Sequence, residues 1–282
     1  MNLFDKIVDQ ALINIPELSP LRMVVEKEIL HHDILRIMSE GGLLKNLTFI
    51  GGTCLRYCYG SQRLSEDLDF TGGIEFSRDD MRNLKGLLTD SIFKKYSIQV
   101  KVSEPVKDTG NTDTWKIKII TRPERKDIPA QRINIDICRL PSYERRPSML
   151  KNYYGVDLGS SGLIVHAESQ QEILADKLIA LALRPNRVKN RDIWDIIWLS
   201  RKNIILNPGL VYAKLVDRNI EKKAFSIKLQ QRINTIRFGH KEYLFEIKRF
   251  LPAGMIDGSI EKNDYWNYVV TEISEMCREF TE

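Results

Sequence analysis

One stretch, Phe49 to Phe70 (FIGGTCLRYCYGSQRLSEDLDF), constrains the fold of this chain more than any other. Gly51 and Gly52 follow an apolar run, and a residue without a Cβ atom can adopt positive φ and let a ligand approach the backbone closely. We expect Thr53 to cap the short buried helix that follows and Gly60 to end it. The stretch therefore predicts a tight turn leading into a short helix.

Two carboxylates close this stretch at alternate positions. The alternation Asp67-Leu68-Asp69-Phe70 predicts a strand with both carboxylates on one face and the two apolar side chains on the other. On a half-buried strand such a pair repels unless a cation lies between the two groups. Aspartates that hold Mg²⁺ against substrate phosphates are what phosphoryl transfer assisted by two metal ions requires. The alternative is a surface hairpin with two solvated aspartates.

The order of these residues resembles the signature of a known family. The chain has a G-G-T turn, then Arg63, then the run S-E-D-L-D-F that begins at Ser65. This order resembles the signature of the AbiEii/AbiGii toxin branch of the nucleotidyltransferase superfamily. Its type IV toxin-antitoxin members include MenT-like proteins. The text VEKEILHHDIL resembles the leading helix of that family. The resemblance implies metal binding by Asp67 and Asp69. It also implies contacts to the nucleotide from one further set: Gly51, Gly52, Thr53, Arg63 and Ser65.

A third carboxylate lies on a later strand. Residues 98–102, 114–121 and 131–138 alternate apolar and polar side chains between turn-rich segments, which predicts three strands. In the third of them, the isoleucines at 133, 135 and 137 face one side and leave Asp136 on the other. The superfamily commonly has a third aspartate on a neighbouring strand, where it joins the metal pair or acts as a base. A structural role for Asp136 stays open.

The second informative stretch runs from Glu168 to Ser200. Its apolar periodicity predicts one helix that breaks near Pro185 and another that begins near Asp192. An A-x-K that contains Lys177 and an R-D-x-x-D that begins at Arg191 resemble later motifs of the same family. The resemblance implies that Lys177 and Arg191 contact the nucleotide phosphates and that Asp192 aligns the lysine or takes part in catalysis. Salt bridges that merely join two helices are the alternative, and Asp195 is expected to pair with a nearby arginine.

Composition bounds the remaining possibilities. The chain has 282 residues, 43% of them hydrophobic and 29% charged, which is typical of a soluble globular protein. A segment of about 20 apolar residues, as needed to cross a bilayer, is missing from the sequence, and the first residues do not resemble a signal peptide, so we expect a cytoplasmic protein without membrane contact. A net charge of +5 permits an anionic partner without requiring one. Cys54 and Cys58 are expected to be small buried side chains rather than metal ligands.

Several other segments lead to expectations that the structure can test. Adjacent His31 and His32 lie within a predicted helix that begins near Leu21, and we expect solvated or capping side chains there. Residues 140–162 are expected to form a loop. Its mixture of basic and aromatic side chains fits an RNA-binding surface and an ordinary solvated surface equally well: Tyr143, Arg145, Arg146, Lys151, Tyr153 and Tyr154. Further helices are predicted over residues 81–96, 209–216, 221–236, 241–250 and 265–280.

Together these features predict an α+β protein. The resemblance implies a nucleotidyltransferase-fold mixed β-sheet flanked by helices in residues 1–165, and a helical domain in residues 166–282 that completes the nucleotide cleft. It implies Mg²⁺- or Mn²⁺-dependent transfer of a nucleotide from an NTP to an acceptor hydroxyl, with the 3′ end of tRNA as acceptor. It also implies a toxin neutralised by a separately encoded antitoxin. Nucleotide transfer to a protein or small molecule, or a non-catalytic module that binds RNA or protein, remain alternatives.

Overall fold

The computed structural model describes residues 2–106, 110–125 and 127–281. It divides into two compact units, Met1–Glu168 and Ser169–Glu282; the boundary expected from sequence lay after residue 165. The first unit contains a mixed sheet with helices, and the elements described from Ser169 onward are helices. The α+β class and the helical C-terminal part are thereby confirmed.

Among the described residues, the sheet of the first unit has seven strands. They are β1 (Thr48–Ile50), β2 (Leu68–Thr71), β3 (Gln99–Ser103), β4 (Thr112–Ile120), β5 (Gln131–Cys138), β6 (Arg145–Met149) and β7 (Ile164–Glu168). Their order across the sheet is β3-β4-β5-β2-β1-β7-β6. β2 pairs with β5 and β1 with β7 in parallel, while the other neighbours are antiparallel. The expected mixed sheet is therefore confirmed, with β2 near its centre.

In the part of the chain that the structure describes, four α-helices belong to the first unit. They are α1 (Leu3–Asn14), α2 (Arg22–Glu40), α3 (Gly51–Cys54), which continues as a π-helical turn over Leu55–Tyr59, and α4 (Leu84–Tyr96). The predicted helix start before residue 81 is a capping box: the Ser77 hydroxyl accepts from the Asp79 N–H, and Asp80 accepts from the Ser77 N–H. Here the turn that follows is a 3₁₀ helix, Arg78–Met81, and α4 begins three residues later.

The second unit is built from eight helices in the described part of the chain. They are α5 (Gln170–Leu183), α6 (Asn190–Ser200), α7 (Pro208–Asp217), α8 (Lys222–Ile236), α9 (His240–Ile247), α10 (Ala253–Met255), α11 (Asn263–Met276) and α12 (Arg278–Thr281). Their cores are apolar side chains at helical spacing, such as Phe225, Leu229, Ile233 and Ile236 on α8. The helices predicted here are confirmed within a few residues at each end. Among the helices that the structure describes, none is long and apolar enough to span a membrane.

Expectations for residues 31–32 and 140–162 are wrong. Residues 140–162 are not entirely a loop, because Arg145–Met149 forms edge strand β6 along β7. His31 and His32 are neither solvated nor capping, since both side chains on α2 are fully buried in the protein interior. Sequence periodicity marked α2 correctly but could not show which polar side chains find buried partners.

Candidate functional site

The centre of the sheet brings two of the predicted carboxylates together. Asp69 on β2 is the register partner of Asp136 on β5, and neighbouring strands lie about 4.8 Å apart. Both residues are partly exposed, whereas Leu68 and Ile135, which alternate with them, are fully buried. The predicted alternation is therefore confirmed on both strands, and the two carboxylates lie side by side on one face of the sheet.

Asp67 lies one residue before β2. Its Oδ1 accepts a hydrogen bond from the backbone N–H of Asn134 on β5, at 3.0 Å. This contact ties the start of the D-x-D segment to the strand that carries Asp136. One oxygen of the Asp67 carboxylate therefore already has a structural role in the sheet.

The glycine turn packs directly against Asp69. Gly51 has φ of +76°, and a Cβ atom built on it would lie 2.8 Å from Oδ2 of Asp69. Ile50, the residue before the turn, is the antiparallel register partner of Asp69. The expected positive φ is confirmed, and the absence of a side chain is what lets the turn approach the carboxylate.

Gly51→Ala should therefore destabilise the protein and disturb Asp69. The variant combines a left-handed backbone with a contact that is too short, and we expect a loss of about 2 to 3 kcal/mol in the free energy of unfolding. Gly42→Ala is the matched control, because Gly42 has φ of +72° and open space around its missing side chain. Urea unfolding of both variants would separate the backbone cost from the contact. Equal losses would show that the approach to Asp69 is unimportant.

Three further residues of the predicted nucleotide-binding set are buried. The Thr53 hydroxyl bonds with the hydroxyl of Ser65 and donates to the carbonyl oxygen of Asp67. The Arg63 guanidinium, in a residue only 3% exposed, donates to the Leu64 carbonyl. The expected capping role of Thr53 is wrong, since α3 begins at Gly51 with no side-chain cap. These side chains hold the D-x-D segment in place, and contact with a nucleotide stays a prediction.

Helix α2 holds the same segment from the other side. The Lys27 ammonium pairs with the Glu66 carboxylate at 2.7 Å, and the His31 ring contacts the Glu66 carbonyl at 3.0 Å. Oε1 of Glu28 accepts from the Ser65 backbone N–H at 2.8 Å. Three successive contacts thus fix the backbone immediately before Asp67.

Glu28 is the centre of a buried polar network that sequence analysis missed. Its carboxylate is fully buried and accepts from the Arg56 guanidinium at 3.2 Å and from the Tyr154 hydroxyl. Burial and the negative charge of Glu28 raise the pKa of the Tyr154 phenol well above its usual range, so that it stays a donor. A signal was present in the sequence, because Glu28 lies three residues after Val25 on the apolar face of α2.

The loop tyrosines and arginines divide between core and surface. Tyr154 is fully buried beside Glu28, so it cannot stack on an RNA base, and the RNA-binding alternative is wrong for this residue. The Tyr153 ring packs under the Arg56 guanidinium at 4.4 Å. Tyr143, Arg145 and Arg146 are exposed, the last two on edge strand β6. Of these, Arg145 donates a hydrogen bond to the Lys45 carbonyl at 2.9 Å.

Because His31 and His32 are buried, we expect the folding stability of the protein to fall at acidic pH. Burial lowers the pKa of His31 to about 3 and that of His32 to about 4, so both are neutral in the folded protein at pH 7. In the unfolded chain they bind protons below about pH 6.5, so stability is lost as pH falls below that value toward the folded-state pKa values. Between pH 7 and 5.5 we expect about 2 to 3 kcal/mol less unfolding free energy. Urea titrations at both pH values, with His31→Gln/His32→Gln as the comparison, test this: an equally steep fall in the variant would exclude the histidines.

The C-terminal motif residues form a charged cluster between α5 and α6. The Lys177 ammonium lies 2.7 Å from Asp192 and 2.7 Å from Asp195, and Arg184 lies 2.8 Å from Asp192. Burial alone would raise the pKa of Asp192, but the charges of Lys177 and Arg184 lower it to about 2. The structure thus pairs Asp195 with the lysine, where an arginine partner was expected. Asp192 contacts Lys177 directly, and a role for it in aligning the lysine or in catalysis stays a prediction.

Arg191 is anchored in the same unit. Its Nε lies 3.5 Å from the Glu246 carboxylate, and its guanidinium lies over the Phe250 ring, 4.6 Å from the centroid. Glu246 also accepts from the side chain of Asn190 at 3.2 Å. These contacts join the start of α6 to α9.

Comparison with known proteins places these motifs in one family. The family model described as nucleotidyl transferase AbiEii toxin, type IV TA system, matches residues 33–263. That range contains the glycine turn, the D-x-D strand and both C-terminal motifs. This chain belongs to the AbiEii family of nucleotidyltransferase toxins. No curated protein matches the chain significantly.

One solved structure shares the fold of this AbiEii protein. MenT4, a nucleotidyltransferase toxin from Mycobacterium tuberculosis H37Rv, superposes with a TM-score of 0.56 at 12% identity, over 99% of each chain. JHP933 from Helicobacter pylori gives a TM-score of 0.47 at 18% identity, over 90% of this chain and 92% of its own. At such low identity the MenT4 likeness bears on the fold, and the resemblance to MenT-like proteins is confirmed at that level.

The carboxylates of this AbiEii protein can be compared with what Mg²⁺ requires. Within the described residues, no three or more His, Cys, Asp or Glu side chains form a group that could hold a metal ion. Asp69 and Asp136 nevertheless lie in register on one face. Enzymes that act on phosphates commonly hold Mg²⁺ by one or two carboxylates, and substrate phosphates and water supply the other ligands. The pair therefore fits a metal ion that arrives with a nucleotide.

Lys177→Ala should lower the stability of this AbiEii protein. The substitution leaves Asp195 fully buried beside an empty ammonium position, and we expect a loss of about 3 kcal/mol in unfolding free energy. Lys223→Ala, at an exposed position on α8, should change it by less than about 0.5 kcal/mol. Chemical denaturation followed by circular dichroism measures both. If the two variants unfold alike, the cluster is not a structural anchor.

Proposed function

We propose that this AbiEii protein is a Mg²⁺-dependent toxin that transfers a nucleotide from an NTP to the 3′ end of tRNA. The observation that carries the proposal is the pairing of Asp69 with Asp136 beside the Gly51 turn. Two carboxylates on one sheet face, next to backbone that a ligand can approach, are what a metal-bound triphosphate needs. Mn²⁺ has the same ligand preferences and would serve in its place.

The proposed residue roles follow the positions described above. Asp69 and Asp136 would hold Mg²⁺, which when bound neutralises charge on the phosphate oxygens, and Asp67 would support the pair from the start of the segment through its contact with the Asn134 N–H. Gly51 and Gly52 would let the triphosphate approach the backbone. Asp136 has its Oδ1 2.6 Å from the Thr114 hydroxyl, which orients the carboxylate, and its other oxygen would accept the proton of the attacking hydroxyl.

The proposed reaction joins the acceptor to the α-phosphate. The acceptor oxygen forms a bond to the α-phosphorus, the bond to the β-phosphate oxygen breaks, and pyrophosphate leaves. In the second unit, Lys177 and Arg191 would contact the nucleotide phosphates, with Asp192 aligning Lys177 through the 2.7 Å contact. Thr53, Arg63 and Ser65 would act by holding the D-x-D segment, since all three are buried.

Separate observations support the proposed tRNA acceptor and the proposed role as a toxin. Exposed Arg145, Arg146 and Tyr143 offer cationic and aromatic contacts to an RNA end. Membership in a type IV toxin-antitoxin family supports a growth-inhibiting toxin with a cognate antitoxin. A toxin that consumes NTP and modifies tRNA would act in the cytoplasm, where both are found.

Labelling with each NTP in turn tests the proposal. Purified protein is incubated with Mg²⁺, one α-³²P-labelled NTP and total RNA, and in parallel with total protein from the same cells. We expect label in the tRNA band, lost with EDTA. Label in protein alone would replace tRNA by a protein acceptor. No label with any NTP would favour a non-catalytic binding module.

A further inference from the structure

A cavity of about 400 Å³ lies within the helical unit. It is bounded by the connection between α5 and α6, by α6, α8, α9 and α11, and by the turn between α8 and α9. Its volume is in the range of small-molecule sites, which run from about 300 to 1,000 Å³. None of its lining residues was singled out by the sequence motifs, so the cavity is a separate feature.

The floor of the cavity is largely apolar. It includes Ile193, Ile236 and Trp266, which are 1%, 3% and 5% exposed. The Trp266 indole is held in place, because its ring stacks on His240 at 5.2 Å and its N–H donates to the Arg237 carbonyl at 3.4 Å. A fixed aromatic and aliphatic floor suits the face of a planar ring.

The rim of the cavity is polar and carries more positive than negative charge. Arg187 and Arg232 line it, opposed by one carboxylate, Glu242. Arg232 is oriented by its 2.6 Å hydrogen bond to the Arg184 carbonyl. Guanidinium groups bind phosphates through paired N–H donors, so the rim favours an anion.

An exposed aromatic ring completes the rim. Phe238 lines the cavity and is 87% exposed, so most of its side chain faces solvent. Such a ring offers a stacking platform for a nucleobase, as in proteins that bind single-stranded nucleic acid. Asn186, also on the rim, supplies an amide that can donate to and accept from a base edge.

We propose that this cavity binds a nucleotide, with its base between Phe238 and the floor and its phosphate at Arg187 and Arg232. The inference rests on the proposed function in taking nucleotides as the ligand class. Glu242 would repel a phosphate, so the base or ribose faces it and donates a hydrogen bond to its carboxylate. The nucleotide belongs either to the terminal residue of the acceptor RNA or to the NTP.

Binding without catalysis tests this proposal and separates the two sources. The full-length protein is titrated in Mg²⁺-free buffer with a fluorescein-labelled hexaribonucleotide that has a free 3′ hydroxyl, and separately with each unlabelled NTP by calorimetry. Phe238→Ala should weaken the binding of either the RNA oligonucleotide or an NTP by about tenfold or more. The ligand whose binding is weakened shows whether the nucleotide in the cavity comes from RNA or from an NTP. Unchanged affinity for both ligands in Phe238→Ala would overturn the proposal.

Matched variants distinguish the cavity from general surface charge. Phe245→Ala removes a phenylalanine that is 79% exposed on α9 and does not line the cavity, and it should leave affinity unchanged. Arg187→Ala should weaken binding and, if RNA is the ligand, reduce the slope of log affinity against log salt by about 0.7. Arg201→Ala, at an exposed position outside the lining, is the control for charge. Equal effects of both arginines would overturn the proposal by pointing to diffuse electrostatics.

The outcome is independent of the proposed reaction. Asp90→Ala, at an exposed position on α4 of the other unit, should bind the responding ligand in Mg²⁺-free buffer as the wild type does. If no NTP is transferred to any acceptor but Phe238→Ala still weakens binding, the reaction is wrong and the nucleotide site stands. If transfer occurs and Phe238→Ala has no effect on binding, the site is wrong and the reaction stands.

Discussion

Asp69→Ala is expected to lower the rate of nucleotide transfer about a thousandfold or more. Asp69 is the carboxylate that both contacts the Gly51 turn and pairs in register with Asp136, so its loss removes half of the proposed metal-binding pair. A bound metal ion contributes several kcal/mol of transition-state stabilisation, and about 4 kcal/mol corresponds to a factor of about a thousand. The measurement is single-turnover transfer of labelled NTP to tRNA at saturating Mg²⁺.

Two controls keep this result interpretable. Asp90→Ala, at an exposed position on α4, should transfer at the wild-type rate. Circular dichroism and urea unfolding should show that Asp69→Ala folds, because the change removes a charge that lies beside Asp136. In cells, induced wild-type protein should arrest growth and Asp69→Ala should not. Arrest that persists in this variant would assign toxicity to binding, and a folded variant with wild-type turnover would refute the metal site.

Glu28→Ala is expected to cost about 5 kcal/mol of unfolding free energy. The substitution leaves Arg56, which is 6% exposed, without its carboxylate, and it removes the acceptor of the Tyr154 hydroxyl and the Ser65 N–H. Breaking a buried ion pair from one side typically costs about 3 to 5 kcal/mol, and unmet buried donors add to it. Because domains are stable by about 5 to 15 kcal/mol, the variant should be close to unfolding. Equilibrium urea unfolding measures the loss.

The same helix offers a matched control. Glu40→Ala removes a carboxylate that is 62% exposed and paired with Arg36 four residues earlier, and it should cost less than about 0.5 kcal/mol. In the double variant Glu28→Leu/Arg56→Met no buried charge is left alone, so much of the loss should be recovered. A Glu28→Ala protein as stable as Glu40→Ala would mean that the buried network does not support the fold.

Local rules predicted the parts of the site that lie close together in sequence. The positive φ of Gly51, the left-handed Gly60 that ends the short helix, and the alternation around Asp69 all follow from backbone sterics and strand geometry. Cys54 and Cys58 are buried as expected. These features needed no knowledge of distant residues, because each depends on a few consecutive positions.

Local sequence rules did not predict edge strand β6 or the burial of Tyr154. The five residues Arg145–Met149 contain two exposed arginines and an exposed proline in succession, so their alternation is weak. It is pairing with β7 that makes them a strand. Tyr154 lies in the irregular segment that follows, where sequence alone cannot separate an exposed ring from a buried one. Its burial depends on Glu28, a residue far away in sequence.

By itself, the sequence determined the order of the motifs and the family to which this chain belongs. Tertiary structure decided that Asp69 pairs with Asp136, because register across β2 and β5 joins residues far apart in the chain. It also decided that Glu28, His31 and His32 are interior groups. Burying a polar side chain is favourable only when groups on other elements form hydrogen bonds or ion pairs with it. The sequence periodicity of one helix does not reveal which groups those are.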